Sequence, residues 1–325
     1  MESKRKIFIL MGTYNGSPFL AEQLQSIQNQ DLRDWTLLVR DDGSKDDTCN
    51  IVADFTKKDN RIVYISDDNK HLGVIGNYGR LMRAAMDSGA ETIFFSDQDD
   101  VWLPYKMSRQ IRHMAEFERL YGRDTPVLIH SDLKVVDKRL NTISDSFMVY
   151  QGIANESKSP LKILLAQNFV TGCATVINRP LLEIALPIPE NVMMHDWWIA
   201  LCAAACGKIS YIQDAMLLYR QHGKNEVGAK GRLDMLNPIR TNVIDRWTDG
   251  KRHFLGSIGQ ADSLGKRVKK IGKTRFCDSI LFADNYAGCV KQKRMKRLFI
   301  IYKMGIRRQG LLRQAIFYLR LLLIR

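Results

Sequence analysis

The chain has 325 residues, of which 45% are hydrophobic and 26% charged, with 49 Lys and Arg against 35 Asp and Glu and a formal charge of +14. This composition excludes a disordered chain, a collagen-like repeat and a small disulfide scaffold. A chain of this length buries about three quarters of its unfolded surface, which suits one large α/β domain with or without an appendage. The charge predicts an anionic partner, which nucleic acid, anionic lipid or a phosphorylated substrate could supply.

The positive charge is concentrated at the C-terminal end. From Leu233 onward there are 21 Lys and Arg and six Asp and Glu, so this part carries +15 and residues 1–232 carry −1. The stretch 223–232 has the composition of a loop and falls on this break. We predict a domain boundary there, with a catalytic domain at 1–232 and a basic helical tail at 233–325.

The cysteines and the apolar runs indicate the cellular compartment in which the protein is expected. The six cysteines form no C-x-x-C pair, and we interpret them as reduced packing residues. The apolar run 7–11 is too short for an export signal and predicts a first strand. No stretch approaches the roughly 20 uninterrupted apolar residues of a membrane span, and we expect a cytoplasmic protein.

Strand and helix signals alternate along the first 130 residues. Near-continuous apolar runs predict strands at 7–11, 35–39, 61–66, 91–95 and 126–130. Apolar residues at helical spacing predict helices that begin at Ser17, Ser44 and Pro104 and one that spans 75–86. Repeated β-α-β order predicts a mostly parallel, Rossmann-like sheet with helices on both faces.

Polar clusters follow three of these strands, at the sheet edge where ligands bind in such folds. They are Thr13-Tyr14-Asn15, Asp41-Asp42-Gly43-Ser44 and Asp97-Gln98-Asp99-Asp100. Asp97 and Asp99 project to the same side of extended chain and could present oxygens to one Mg²⁺ or Mn²⁺. The alternative is that these acids only cap the following helix. A metal explains both acidic clusters together, because otherwise they would repel a phosphate-bearing ligand.

Asp42 and the residues after it are expected to have separate roles. Gly43 and Ser44 are typical of a turn and a helix cap. Asp42 would then be free to accept a hydrogen bond from an imide N–H such as that of uracil or thymine.

Two further constellations lie downstream. In His195-Asp196-Trp197-Trp198, the indoles could stack on a sugar while Asp196 accepts a hydroxyl proton; alternatively, Asp196 caps a helix and the tryptophans belong to the core. In Tyr219-Arg220-Gln221-His222, Arg220 could bind phosphate and His222 could complete a metal shell, although a loop histidine can also be merely solvated.

These motifs, in this order, resemble the family 2 inverting glycosyltransferases of the GT-A fold. The matching segments are T-Y-N, D-D-G-S-x-D-x-T at 41–48, S-D-Q-D-D-x-W at 96–102, T-G-C at 171–173, H-D-W-W and Y-R-Q-H. Together with H-S-D-L-K-V-V-D at 130–137, they are most similar to the bacterial rhamnosyltransferases of cell-surface polysaccharide synthesis. The resemblance covers residues 6–230, and the Q-x-x-R-W motif of processive members is missing, which favours single additions.

The resemblance, with the side-chain chemistry above, implies a role for each matched residue. Nucleotide binding is expected of Thr13, Tyr14, Asn15, Asp42 and Asp97. Metal binding is expected of Asp97, Asp99 and His222, and phosphate binding of Arg220. Contact with the sugar or acceptor is expected of Asp132, Thr171, Gly172, Trp197 and Trp198. Asp196 matches the general base, and His195 precedes it in place of the family's usual glutamate. The implied cofactor is Mg²⁺ or Mn²⁺. The implied substrates are a nucleotide-sugar donor, dTDP-rhamnose, and a polyprenyl-diphosphate-linked saccharide acceptor.

The tail predicts a membrane partner. Leu312, Ala315, Ile316, Leu319 and Leu323 share one face of a basic amphipathic helix, which can lie in the interface of an anionic membrane. We therefore expect a protein peripheral on the inner face of the bacterial plasma membrane. The alternative is that the tail packs on the catalytic domain or on another subunit of a homo-oligomer.

Two rival functions are disfavoured. Nucleic-acid binding is disfavoured because the tail aromatics lie in apolar runs rather than on an exposed platform among basic residues. A sugar-phosphate nucleotidyltransferase would be expected to carry a glycine-rich loop with a Lys or Arg near its N-terminus, and residues 12–17 contain no basic residue.

Overall fold

A computed structural model describes residues 5–67, 71–223, 243–272 and 276–324, with the backbone alone for 243–246. The chain divides into two compact units. The first comprises Met1–Phe147, Val170–Ile188 and Ser210–Gly228, and the second comprises Met148–Phe169, Pro189–Ile209 and Ala229–Arg325. The predicted boundary between residues 232 and 233 lies outside the described residues. The second unit also draws on two segments from within residues 1–232.

A mixed nine-stranded sheet runs through the first unit in the order β3-β2-β1-β4-β8-β6-β9-β5, with β7 beside β6. The strands are β1 Ile7–Thr13, β2 Thr36–Asp41, β3 Ile62–Tyr64, β4 Thr92–Ser96, β5 Val101–Trp102, β6 Val127–Val136, β7 Thr142–Ser144, β8 Thr175–Asn178 and β9 Lys208–Arg220. Strand β1 pairs in parallel with β2 and β4, and β2 with β3. Four antiparallel pairs extend this parallel half: β4 with β8, β6 with β8, β5 with β9, and β6 with β7. The predicted α/β fold is confirmed, and the parallel order holds for its first four strands.

Eight helices lie before β9 in the described part of the chain. They are α1 Leu20–Gln28, α2 Thr48–Lys58, α3 Gly73–Asp87, α4 Lys106–Tyr121, α5 Phe147–Gln151, α6 Pro160–Leu164, α7 Arg179–Ala185 and α8 His195–Cys206. Helix α2 begins four residues later than predicted from Ser44. The reason is that the Ser44 N–H and hydroxyl bond to Asp41 at 2.7 and 2.5 Å, which holds Ser44 in the loop. Helices α1 and α4 likewise begin after Ser17 and Pro104, at Leu20 and Lys106.

Buried apolar strands form the core of the first unit. Ile9, Leu10 and Met11 of β1 are fully buried, as are Ile93 and Phe94 of β4. Burying such a side chain contributes roughly 1.5–3 kcal/mol, so these runs hold the centre of the sheet firmly. Because Thr13 is in register with Asp41, and Met11 with Ser96, the parallel strands deliver their polar ends to one edge.

The C-terminal part of the second unit is helical, as predicted. Its helices are α9 Val243–Ile271, α10 Cys277–Gly288, α11 Arg294–Met304 and α12 Leu311–Leu323. Phe254, Tyr286 and Phe317 form a fully buried aromatic cluster, with ring centroids 5.9 to 6.5 Å apart. Within the described residues, no helix is both long enough and apolar enough to cross a membrane.

Candidate active site

The site in the first unit begins where β1 and β2 end. The Thr13 hydroxyl donates to Asp41 Oδ1 at 2.9 Å, and both side chains are buried. Asp41 Oδ2 accepts the N–H groups of Gly43 and Ser44 at 3.0 and 2.7 Å. Asp41 therefore builds the turn after β2, and Thr13 braces it.

The carboxylate of Asp42 is surrounded by donors. Oδ1 accepts from the Leu72 N–H at 2.8 Å and from Arg40 Nη1 at 2.9 Å. Oδ2 accepts from the Gly73 N–H at 2.8 Å and lies 2.9 Å from His71 Nδ1. A carboxylate has about four lone-pair sites, and these partners occupy all of them. The expectation that Asp42 is free to meet an imide N–H does not hold in this conformation. Instead, Asp42 fixes the start of α3.

Tyr14 is held by its backbone and presents its ring. The Gln98 amide accepts from the Tyr14 N–H at 2.9 Å and donates to the Tyr14 carbonyl at 3.0 Å. The Tyr14 ring is 45% exposed and lies 5.0 Å from the ring of His71. At Gly16, a Cβ atom would lie 2.2 Å from Gln98 Oε1, so a larger residue there would displace the Gln98 amide from Tyr14. The two rings are tilted by 46° to each other, so the exposed Tyr14 ring is the face on which a planar base could stack.

Asn15 shapes the loop after β1. Its φ of +47° is in the left-handed region, which asparagine tolerates better than most residues. Its side chain accepts from the Lys45 N–H at 2.9 Å, and its own N–H donates to Ser44 Oγ at 2.8 Å. Asn15 therefore joins the loops that follow β1 and β2.

The acidic cluster after β4 meets the end of β9. Asp99 Oδ2 lies 2.7 Å from His222 Nε2, and both side chains are mostly buried. Tyr78 donates its hydroxyl to Asp97 Oδ1 at 3.2 Å. The fully buried Asp100 accepts the Arg220 N–H at 3.2 Å. The predicted metal residues Asp99 and His222 are thus brought together by the fold.

Arg220 holds this arrangement rather than facing solvent. Its side chain is 2% exposed, and its guanidinium carbon lies 4.6 Å from the centroid of the Phe19 ring. Nε donates to the Asp99 carbonyl at 2.8 Å, and Nη1 to the Lys138 carbonyl at 2.9 Å. Nη2 pairs with the Glu22 carboxylate. The expected phosphate grip does not hold in this conformation, because each guanidinium nitrogen already has a protein acceptor.

A buried ionisable cluster supports the acidic loop from behind. Burial, and then the charges of Asp99 and Asp97, raise the pKa of Asp100 well above its usual range. Burial also raises the pKa of the Cys173 thiol. Burial lowers the pKa of Lys106 to about 7, and its ammonium lies 4.2 Å from the Trp102 ring centroid.

The donor types of the acidic loop suit a hard divalent cation. Carboxylate oxygens suit Mg²⁺ and Mn²⁺, and Asp97, Asp99 and His222 supply oxygens and one imidazole nitrogen. In the part of the chain that the structure describes, the ligand atoms of Asp97 group within 4.8 Å with those of Asp100 and Cys173, and this group does not include Asp99 or His222. A thiol with a raised pKa stays protonated, so Cys173 is a poor ligand for either ion. A cation would offset the repulsion between carboxylates that raises the pKa of Asp100.

The H-D-W-W segment opens α8 in the second unit. Met194 is the N-cap, and the half-buried Asp196 lies in the first turn, where its charge suits the helix dipole. Asp196 Oδ1 accepts the Trp197 N–H at 2.5 Å and lies 3.4 Å from Asn168 Nδ2. Burial lowers the pKa of His195 to about 3, so its imidazole is neutral.

The two tryptophans of this segment belong to the core. Trp197 is 3% exposed and donates its indole N–H to the Leu164 carbonyl at 2.6 Å. Trp198 is fully buried beside the Arg267 guanidinium. The expected sugar stacking does not hold in this conformation, because protein already covers both rings.

Three other predicted residues lie in the first unit. Asp132, in β6, accepts from the N–H groups of Leu133 and Phe147 and from the Ser146 hydroxyl. Thr171 precedes a short 3₁₀ helix that begins at Gly172. Asp132 thus ties β6 to the segment before α5.

Sequence reasoning missed Gln98, His71 and Gly16. Gln98 stands inside the S-D-Q-D-D motif, and its position between two carboxylates could have marked it as a loop clamp. His71 carried no signal, because its proximity to Tyr14 and Asp42 depends on how α3 returns to the sheet.

A sheet with a parallel half, and an acidic loop paired to a histidine at its carboxyl edge, is the architecture of the GT-A glycosyltransferases. The chain belongs to glycosyl transferase family 2, whose model matches residues 8–180. It is 31% identical over 231 residues to the dTDP-rhamnosyl transferase RfbG of Shigella flexneri, covering 67% of this chain and 74% of that protein.

Two further similarities concern a more distant relative and the fold. A GalNAc(5)-diNAcBac-PP-undecaprenol beta-1,3-glucosyltransferase of Campylobacter jejuni is 28% identical over 179 residues, covering 55% of this chain and 53% of the relative. The mannosyltransferase PcManGT of Pyrobaculum calidifontis, solved with GDP-Man and Mn²⁺, shares the fold at a TM-score of 0.51 and 15% identity. That likeness covers 93% of this chain and 74% of that one.

Proposed function

We propose that the protein is an inverting rhamnosyltransferase that moves L-rhamnose from dTDP-rhamnose to a lipid-linked saccharide in cell-surface polysaccharide synthesis. The observation that carries the donor assignment is the 31% identity to a dTDP-rhamnosyl transferase across two thirds of the chain. The acceptor assignment is supported by the Campylobacter relative, whose name specifies an undecaprenol-diphosphate-linked substrate.

The nucleotide is assigned to the edge of the sheet where β1, β2 and β4 end. The exposed ring of Tyr14 beside His71 is the stacking surface, and Asn15 holds its loop. Thr13 and Asp42 serve this site through the turns that they build. The nucleotide assignment of Asp97 rests on its place in the S-D-Q-D-D motif, at the end of β4.

A divalent metal, Mg²⁺ or Mn²⁺, is assigned to Asp97, Asp99 and His222. When bound, it would stabilise the negative charge that develops on the nucleoside diphosphate leaving group. Arg220 holds the Asp99 backbone, and Tyr78 orients the Asp97 carboxylate. The mannosyltransferase solved with Mn²⁺ supports a metal in this fold.

Asp196 is assigned as the general base, on the H-D-W-W match to the family. It takes the proton of the acceptor hydroxyl as that oxygen attacks the anomeric carbon from the face opposite the leaving group, which inverts the configuration. A carboxylate is a weak base toward an alcohol, so the proton moves late, when C–O bonding has acidified the hydroxyl. The Asn168 amide and the Trp197 N–H hold one oxygen of the carboxylate.

A second candidate donor is a UDP-sugar, because the Campylobacter relative is a glucosyltransferase. A donor screen with added Mn²⁺ separates the two possibilities. We expect nucleoside diphosphate release to be fastest from dTDP-rhamnose, measured against dTDP-glucose, UDP-glucose and UDP-N-acetylglucosamine. Faster release from a UDP-sugar would replace the rhamnose assignment, and diphosphate release from a nucleoside triphosphate would indicate a nucleotidyltransferase.

A further inference from the structure

Helix α11 turns apolar side chains toward solvent. Met295 is 71% exposed, Phe299 62% and Tyr302 71%. At about 100° per residue, these three positions fall within about 60° of one another around the helix axis. The buried Arg297 and Ile301 lie on the other side of the helix. This is the reverse of a surface helix of a soluble domain, which buries its apolar stripe.

Lysines border one side of this exposed stripe. Lys296 and Lys303 are exposed, and at about 100° per residue they lie roughly 80–100° from Met295 on the same side of α11. Lys291, Lys293 and Arg294, just before and at the start of the helix, are also exposed. Lysine stems can lie along an apolar boundary while their ammonium groups stay among polar groups.

Helix α12 extends the apolar surface. Leu312, Leu319 and Leu323 are about half exposed, and Leu311 is 92% exposed. Tyr318 of α12 joins Met295, Leu298, Phe299 and Tyr302 in lining a shallow apolar groove. The exposed apolar surface therefore spans both helices of the α11–α12 hairpin, residues 294–323.

Arg297 fixes the two helices to each other. Its buried guanidinium donates to the carbonyls of Leu321 and Ile324 at the end of α12, each at 2.9 Å. It also donates to the Cys289 and Val290 carbonyls before α11, at 3.1 and 2.9 Å. The hairpin therefore presents its apolar surface in a preformed arrangement.

We propose that the α11–α12 hairpin is the surface by which this protein docks on an anionic phospholipid bilayer. Phe299, Tyr302 and Met295 would enter the boundary between headgroups and acyl chains, while the lysines meet lipid phosphates. The sequence contains no Asp or Glu after Asp284, whereas 11 Lys and Arg follow it. A second copy of the chain would bring an equally basic surface to this face and repel it, so charge complementarity selects the anionic bilayer.

Docking on an anionic bilayer accords with a lipid-linked acceptor but does not require one. Each basic residue at an anionic surface strengthens binding roughly fivefold, and burial of the aromatic stripe adds to this. The test below uses vesicles without acceptor, and nucleoside diphosphate release without vesicles reports the proposed function separately. Either proposal can therefore fail alone.

The experiment is vesicle co-sedimentation with the full chain. Vesicles of phosphatidylcholine with about one third phosphatidylglycerol should bind it, and pure phosphatidylcholine should bind it at least about tenfold less tightly. The variant M295S/F299S/Y302S and the variant K296E/K303E should each bind the anionic vesicles at least about tenfold less tightly. Both should keep the wild-type Tm, because the changed side chains are exposed.

A matched control removes equally exposed apolar residues elsewhere. Leu120 and Val149 are 71% and 73% exposed, and the variant L120S/V149S should bind vesicles like wild type. Equal binding of both vesicle types, or unchanged binding by the two hairpin variants, would overturn the proposal. So would a wild-type dimer that the M295S/F299S/Y302S variant dissociates, because that would make a second copy the occupant.

Discussion

Asp99 Oδ2 and His222 Nε2 lie 2.7 Å apart although 123 residues separate them in the chain. One follows β4 and the other follows β9, so the sheet itself assembles the pair. At this distance the two side chains are joined by a hydrogen bond, and a cation bound by both atoms would take its place. The fold therefore holds two of the predicted metal residues within reach of one ion.

Replacing either member should weaken metal binding. We expect Asp99→Asn and His222→Gln each to reduce Mn²⁺ affinity at least about tenfold, because each removes one donor atom. Calorimetric titration of the nucleotide-free protein would measure this. The matched control is Asp124→Asn, an exposed acid of the same unit, which should bind Mn²⁺ like wild type. Wild-type affinity in both site variants would remove these residues from the metal site.

Arg220 should act through the acidic loop rather than on phosphate. Arg220→Lys loses the fork that binds the Asp99 and Lys138 carbonyls, so we expect a lower Tm and several-fold weaker Mn²⁺ binding without nucleotide. A phosphate ligand would behave differently. If Mn²⁺ affinity stayed unchanged while nucleoside diphosphate affinity fell, Arg220 would contact phosphate directly.

Asp196→Asn should separate chemistry from binding. We expect turnover to fall at least about a hundredfold, because the amide cannot accept the acceptor proton, while the Kd for the donor stays unchanged. The amide keeps an oxygen for the Trp197 N–H, so the start of α8 should stay intact. Steady-state rates with the lipid-linked acceptor, paired with donor titration, measure both quantities. Unchanged turnover would show that another group is the base.

Lys106 should make stability rise with pH. Burial lowers its pKa from 10.5 to about 7, so between these values the unfolded chain binds a proton that the folded chain does not. The free energy of unfolding should therefore increase with pH above 7, by at most about 1.4 kcal/mol per pH unit. Below pH 7, both states carry the proton and this contribution is constant.

Chemical denaturation of the metal-free protein at pH 7, 8 and 9 tests this. In Lys106→Met, which places an apolar chain of similar length beside Trp102, the Lys106 contribution to the rise should be absent. The free energy of unfolding of wild type minus that of the variant should thus rise by about 2 kcal/mol from pH 7 to 9. Parallel stability curves would show that Lys106 is already charged in the folded state.

Local patterns predicted much of the fold. The apolar runs located β1 to β4, and β-α-β order identified the sheet edge that carries Thr13, Asp41 and Asp97. The antiparallel strands β8 and β9 were not predicted, because their pairing depends on segments distant in sequence. The strand predicted at 126–130 is the first part of β6, and its continuation to Val136 was missed because polar residues interrupt the apolar pattern.

The sequence predicted which residues lie at the candidate site better than it predicted what each of them does there. The pairing of Asp99 with His222 agrees with the predicted metal set. Arg220 and Trp198 look like ligand-binding residues by type, yet both are buried, and burial is set by tertiary packing rather than by residue type. The free carboxylate expected for Asp42 was wrong for this conformation, because the N–H groups that fill it come from the start of α3.

The most direct test of the central claim is nucleoside diphosphate release from dTDP-rhamnose by the purified full chain with a lipid-linked acceptor. With Mn²⁺ or Mg²⁺ present, we predict release that chelator abolishes and added metal restores, together with a rhamnosylated product of inverted anomeric configuration. Release that continues unchanged in chelator, or a product of retained configuration, would contradict metal-assisted inverting transfer.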